Sequence, residues 1–124
     1  MLDHVTVGVR DIERSMKFYD HALRPLGITR LYAEDERFAG YGIKPKASFW
    51  IGIRASSQSG AHIAFTANDR AAVDRFYEAA IAAGGKDNGA RGLRPHYHSN
   101  YYGAFVLDPD GHNIEAVCHL PEKG

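Results

Sequence analysis

Hydrophobic and polar residues alternate at the start of the chain. Val5, Val7 and Val9 are separated by Thr6 and Gly8 and preceded by His4, the period of a strand with one buried face. The period then lengthens to that of a helix. Ile12, Met16, Tyr19 and Leu23 share one stripe over about 12–24, Asp11 stands at the N-cap, and Pro25 and Gly27 close the segment. Short strand candidates follow at about 28–33, 37–43 and 47–53, with Glu34-Asp35-Glu36 as the turn between the first two.

The plan then recurs. Residues 61–66 alternate again, Asp69 caps a helix that turns Val73, Phe76, Tyr77 and Ala80 inward, and strands are expected near 101–107 and 112–118. Between them, "GGKDNGARGLRPHYHSN" (84–100) predicts a long loop with at most one short strand, and long loops in compact domains are often functional. Laid over each other without a gap, residues 4–27 and 62–85 place His4 on His62, Asp11 on Asp69, Phe18-Tyr19 on Phe76-Tyr77 and Gly27 on Gly85. Two copies are too few for a solenoid. The pattern predicts a single α+β domain over 1–124, made of two tandem βαβββ modules at about 1–56 and 60–120. Helices would cover one face of each sheet and leave the other faces to meet.

Strand parity says which residues take those uncovered faces. His4 and Thr6 oppose the valines of the first strand, Trp50 opposes Phe49 and Ile51, and His62 opposes Ile63. In "NIEAVC" (113–118), Glu115 opposes Ile114, Ala116 and Cys118. Glu is depleted in strands and costly to bury without a partner, so Glu115 points to a concavity with chemistry in it. His4, His62 and Glu115 together, two imidazoles and a carboxylate, are a candidate site for Fe(II), Mn(II), Zn(II), Ni(II) or Co(II). The metal would supply the counter-charge that Glu115 lacks.

Composition narrows the partners. Lys plus Arg equals Asp plus Glu, so nothing attracts nucleic acid or an anionic membrane by bulk charge. No apolar run reaches the ~20 residues that span a bilayer. The start lacks a basic-then-apolar leader, and the single cysteine, Cys118, excludes an intrachain disulfide framework; both point to a cytoplasmic protein.

Three stretches carry a resemblance: "LDHVTVGVRDIERSMKFY" at the start, "AHIAF" at 61–65 and "LDPDGHNIEAV" at 107–117. With them the chain resembles the vicinal oxygen chelate superfamily of glyoxalases, bleomycin-resistance proteins and type I extradiol dioxygenases. The resemblance covers essentially the whole chain. It implies paired modules whose mixed sheets form a cupped cavity around a divalent metal, with helices on the outer faces and a homodimer as the working form. It also implies that His4, His62 and Glu115 match the ligand positions. Trp50 stands at or near the place where glyoxalase I enzymes carry a second carboxylate, so the resemblance does not extend to that activity.

The expected function is therefore that of a metal-dependent enzyme acting on a small oxygen-chelating substrate, by lyase or isomerase, dioxygenase or thiol-transfer chemistry. Thr6, His98 and Tyr102 are the acid–base candidates, and Trp50, Arg94 and Tyr101 the cavity wall. The alternative is a metal-free protein that sequesters an aromatic molecule in the same cavity, with Trp50, Tyr101 and Tyr102 as stacking walls. His96 and His98, two apart, leave open a second metal site, a general base or an ordinary surface loop. Arg91 and Arg94 are candidates for a substrate carboxylate or phosphate. Asp108-Pro109-Asp110-Gly111 is expected to be a hairpin turn that fixes the register of Glu115, with His112 a turn residue.

Overall fold

In a computed structural model of the chain, residues 1–54 and 60–122 are described. The expected boundary between modules, near 56–60, falls largely outside the described residues. Module one runs β1 (Val5–Val9), α1 (Ile12–Ala22), a 3₁₀ turn (Arg24–Leu26), β2 (Thr29–Glu34), β3 (Phe38–Ile43) and β4 (Lys46–Ile53). Module two runs β5 (His62–Thr66), α2 (Arg70–Ala82), β6 (Lys86–Asp87), β7 (Gly92–Leu93), β8 (Tyr102–Leu107) and β9 (Asn113–Cys118). Each module builds its own mixed sheet, ordered β1-β4-β3-β2 and β5-β9-β8-β6, with β7 also pairing β8. In both, the opening strand lies parallel to the last one, β1 on β4 and β5 on β9.

The local causes are those expected of the sequence. Asp11 and Asp69 accept the Arg14 and Ala72 amides at 3.1 and 2.8 Å, which starts the two helices. Helix α1 stops earlier than its stripe suggests because Pro25 imposes a 3₁₀ turn, and Gly27 closes that turn with φ 79°. Asp35 and Glu36 both take positive φ, the two-residue turn that matches strand twist between β2 and β3. The loop expected over 84–100 holds two two-residue strands rather than one, too short to show any period.

The apolar strand faces bury under the helices. Val7, Val9, Phe49 and Ile51 pack beneath Phe18, Tyr19 and Leu23 of α1 and its end, while Ala104, Val106, Ile114 and Ala116 pack beneath Val73, Phe76 and Ala80. Tyr77 packs against the core as expected but stays half-buried, and its hydroxyl donates to Asp87 Oδ1 at 3.0 Å. The opposite faces stay open, with His4, Thr6, His62 and Ala64 all exposed. No helix of the described residues is long and apolar enough to cross a membrane.

The β8–β9 turn does more than set register. It is also a polar joint between the modules. Asp108 accepts the Tyr19 hydroxyl of α1 at 2.5 Å while also accepting its own turn's Asp110 and His112 amides. Asp110 accepts the Arg10 amide at 2.9 Å and the Ser15 hydroxyl at 3.3 Å. His112, expected to be a plain turn residue, is 1% exposed and spans the two sheets. Its Nε2 lies 2.8 Å from the Gly8 carbonyl oxygen and its Nδ1 accepts the Ala61 amide at 3.2 Å, which places the ring proton on Nε2.

Burial and the neighbouring Asp108 push the Tyr19 phenol well above its ordinary value of 10, and burial and Asp20 push Tyr41 the same way. The unfolded chain releases these protons near pH 10 and the folded chain holds them. Stability is therefore unaffected by them below about pH 10 and falls as pH rises beyond it. In an alkaline titration, the tyrosinate absorbance of these two residues should appear only as far-UV circular dichroism is lost. Ionisation of every tyrosine while the fold persists would contradict the assignment.

Candidate active site

Glu115 is placed by three strands. It stands in the middle of β9, paired in register with Ala64 of β5 on one side and Phe105 of β8 on the other. Ala64 leaves space above it, and Phe105 and the His62 ring, 6.1 Å apart by centroid, wall it. Its side chain is 2% exposed, yet among the described residues no Lys or Arg pairs with it. Its two oxygens have different partners. His62 Nε2 lies 3.0 Å from Oε1, and the Tyr101 hydroxyl donates a short hydrogen bond to Oε2. His62 is half-exposed, so the pair opens from a buried carboxylate toward solvent.

Tyr101 reaches Glu115 because of a glycine. A Cβ at Gly103 would stand 3.2 Å from the Tyr101 ring and 3.4 Å from Glu115 Oε2, so Gly103 leaves the floor over which the phenol lies. Burial and the hydrogen bond to Glu115 hold the Tyr101 proton well above its ordinary value, so the phenol stays a donor at any working pH. Behind it sit two imidazoles. His98 Nε2 and His119 Nδ1 are 2.5 Å apart with stacked rings, and Tyr101 packs edge-on to both. The Asn100 amide donates to His98 Nδ1 at 3.1 Å, so His98 carries its proton on Nε2 and donates to His119. His98 thus supports the ring of Tyr101 rather than touching Glu115. His119 is the partner that the sequence offered no reason to choose.

The remaining candidates divide between two places. On the open face of module one, His4 Nδ1 lies 2.7 Å from Asp3, Thr6 is exposed in register with Trp50, and Trp50 donates to the Ala47 carbonyl at 3.2 Å. On module two, Arg94 lies over the Phe105 ring at 5.5 Å and donates to the Gly92 and Ala90 carbonyls, at the edge of the Glu115 cluster. Tyr102 falls on the other face. Its hydroxyl donates to Asp74 of α2 at 2.6 Å, and burial and that carboxylate push its phenol up to about 12. His96 packs on Tyr97 and does not join His98. Arg91 pairs with Glu78 and Asp74.

As metal donors, a neutral imidazole and a carboxylate fit a borderline divalent ion in kind. In number one chain falls short: among the described residues no group of three or more His, Cys, Asp and Glu side chains is gathered. His62 and Glu115 are together, while His4 is held by Asp3. Both histidines nevertheless line one cleft of about 380 Å³, at the seam where β1 and β5 lie near each other.

The family model of the Glyoxalase/Bleomycin resistance protein/Dioxygenase superfamily matches residues 1–116. The chain belongs to that superfamily. Among solved structures, a glyoxalase/bleomycin resistance protein from Albidiferax ferrireducens is 34% identical with a TM-score of 0.85, covering 95% of this chain and 98% of that one. A glyoxalase/bleomycin resistance protein/dioxygenase family enzyme from Burkholderia phytofirmans is 24% identical with a TM-score of 0.73, covering 95% and 98%. A glyoxalase I mutant from Zea mays is 28% identical with a TM-score of 0.71, covering 94% of this chain but 45% of its own. None of the curated proteins matches the chain. For this superfamily member, then, fold and family stand on sequence and structure together, and the reaction has to be argued from the residues.

Proposed function

We propose that the chain is a homodimeric enzyme that depends on a divalent metal ion and acts on a small substrate presenting two adjacent oxygens. The observation that carries this is Glu115, a carboxylate 2% exposed in mid-strand with an imidazole and a phenol as partners and no pairing cation among the described residues. Burying such a group without compensation is costly, and a metal ion is the compensation its neighbours are chemically suited to share. His62 and Glu115 would hold the ion from one chain, and His4 of a second copy would complete the set. When bound, the ion would supply Lewis acidity toward the substrate oxygens.

The protein's own groups do the rest. Tyr101 fixes the orientation of Glu115 and keeps a proton at the edge of the site. The His98–His119 pair holds the Tyr101 ring. Phe105 walls the carboxylate on the β8 side. A second reading, a metal-free cavity that binds its ligand without turnover, is favoured by the direct His62–Glu115 hydrogen bond and by the commitment of His4 to Asp3.

Elemental mass spectrometry on protein purified without a histidine tag tests the proposal. The expected result is close to one metal ion per chain in the wild type and almost none in Glu115→Gln or His62→Ala, with both variants folded. A wild type without metal, unchanged in thermal stability by added Fe(II), Mn(II), Co(II), Ni(II) or Zn(II), would leave the second reading in its place.

A further inference from the structure

Away from the sheet faces, the two helices meet in a groove that the repeat makes lopsided. Helices α1 and α2 pack against each other on the outer side of the molecule. Lys17, His21, Arg24 and Pro25 of module one and Ala79, Ala82 and Ala83 of module two line a cavity of about 290 Å³ between them. The repeat pairs these positions: His21 lies on Ala79, Arg24 on Ala82 and Pro25 on Ala83. Equivalent positions therefore face one cavity with different chemistry, cationic on one wall and methyl on the other. Module two contributes no more than a Cβ at each place, and that leaves the space open.

The cationic wall has no partner of its own. Lys17, His21 and Arg24 recur at the three- and four-residue spacing that puts side chains on one helical stripe, and all three are exposed. Among the described residues no carboxylate pairs with any of them. The neighbouring acids are committed elsewhere, Asp20 to Arg30 and the Tyr41 hydroxyl, and Glu78 to Arg91. His21 Nδ1 lies 2.7 Å from the Lys17 carbonyl oxygen, which can only accept, so Nδ1 carries the ring proton and Nε2 is left for a ligand. Two fixed cations and an imidazole can each meet one terminal oxygen of a phosphate, whereas a carboxylate offers only two oxygens. The alanine and proline wall suits a short apolar group carried by that phosphate.

We propose that this groove binds a soluble phosphate monoester, its terminal oxygens on Lys17, His21 and Arg24 and its apolar group on Ala79, Ala82 and Pro25. The groove lies on the helical side, away from the open sheet faces that carry His4, His62 and Glu115. It is reached equally in a monomer and in a dimer that joins those faces. The cavity has room for one short chain, which separates such an ester from a two-chain phospholipid.

Isothermal titration with n-hexyl phosphate, inorganic phosphate and n-hexanol tests the proposal, on the wild type and on Glu115→Gln so that phosphate held by a metal is told apart. The expected result is one n-hexyl phosphate per chain in both proteins, with binding about tenfold or more weaker for inorganic phosphate and for n-hexanol. Lys17→Gln combined with Arg24→Gln should weaken n-hexyl phosphate about tenfold or more while leaving bound metal unchanged. Ala82→Leu, which fills the groove with a good helix former, should weaken it to a similar extent. Circular dichroism checks that the variants are folded. Undiminished binding in the folded double variant overturns the proposal, as does binding that vanishes in Glu115→Gln, which assigns the phosphate to the metal site. Absence of saturable n-hexyl phosphate binding overturns it too, and co-sedimentation with phosphatidic acid vesicles in that case assigns the basic stripe to a membrane.

Discussion

Co-refolding His4→Ala protein with an equal amount of Glu115→Gln protein is expected to restore bound metal to about one quarter of the wild-type level, although neither variant binds metal alone. The number follows from two-fold symmetry. If each site takes His4 from one chain and His62 with Glu115 from the other, a mixed dimer has one site with both defects and one intact site. Random pairing makes half of the dimers mixed, so one site in four is whole. A site built within a single chain would stay empty in every combination. The first case is the one the proposed homodimer requires, because among the described residues no group of three such ligands is gathered within one chain and His4 stands exposed on the open face of module one. The measurement is metal per chain after gel filtration. A mixture as empty as its parents, alongside a metal-loaded wild type, would rule out the shared site.

The second large effect concerns stability. Asp108→Ala leaves three donors without their acceptor: the Tyr19 hydroxyl and the Asp110 and His112 amides. Asp108 is 4% exposed, so water cannot replace the carboxylate without a cavity opening between the modules. A loss of about 2–4 kcal/mol is expected, toward the upper part of what single substitutions cost. Asp110→Ala removes the acceptor of the Arg10 amide and the Ser15 hydroxyl and should cost less, because only the latter contact is fully buried. Urea unfolding followed by circular dichroism checks both. A change under about 0.5 kcal/mol for Asp108→Ala would mean that the turn is only a turn, as the sequence alone suggested.

That contrast shows where the sequence is legible. Alternation in Val5–Val9 and Asn113–Cys118 placed His4 and Glu115 on open faces, because a period of two is local. The same rule, applied strictly, separates the neighbouring tyrosines. Tyr102 shares parity with Ala104 and Val106 and goes under the helix, while Tyr101 shares parity with Gly103 and Phe105 and goes to Glu115. The joint through Asp108, Asp110 and His112 was not legible, since its partners lie about a hundred residues away and the motif is complete as a turn without them. The His98–His119 pair was hidden for the same reason, and β6 and β7 because two residues carry no period. The absence of a three-ligand group within one chain was beyond the sequence altogether, since strand parity gives a face and not a distance.

The turn after β8 also makes the two repeated halves unequal. Module one makes the corresponding turn, between β3 and β4, from Lys44-Pro45, and among the described residues that turn makes no side-chain hydrogen bond to module two. Module two makes it from Asp108 to His112 and clamps the strand and helix that begin module one. Halves that repeat one plan thus stand as debtor and creditor in hydrogen bonds. Module one alone would leave the Arg10 amide and the Ser15 and Tyr19 hydroxyls without these acceptors.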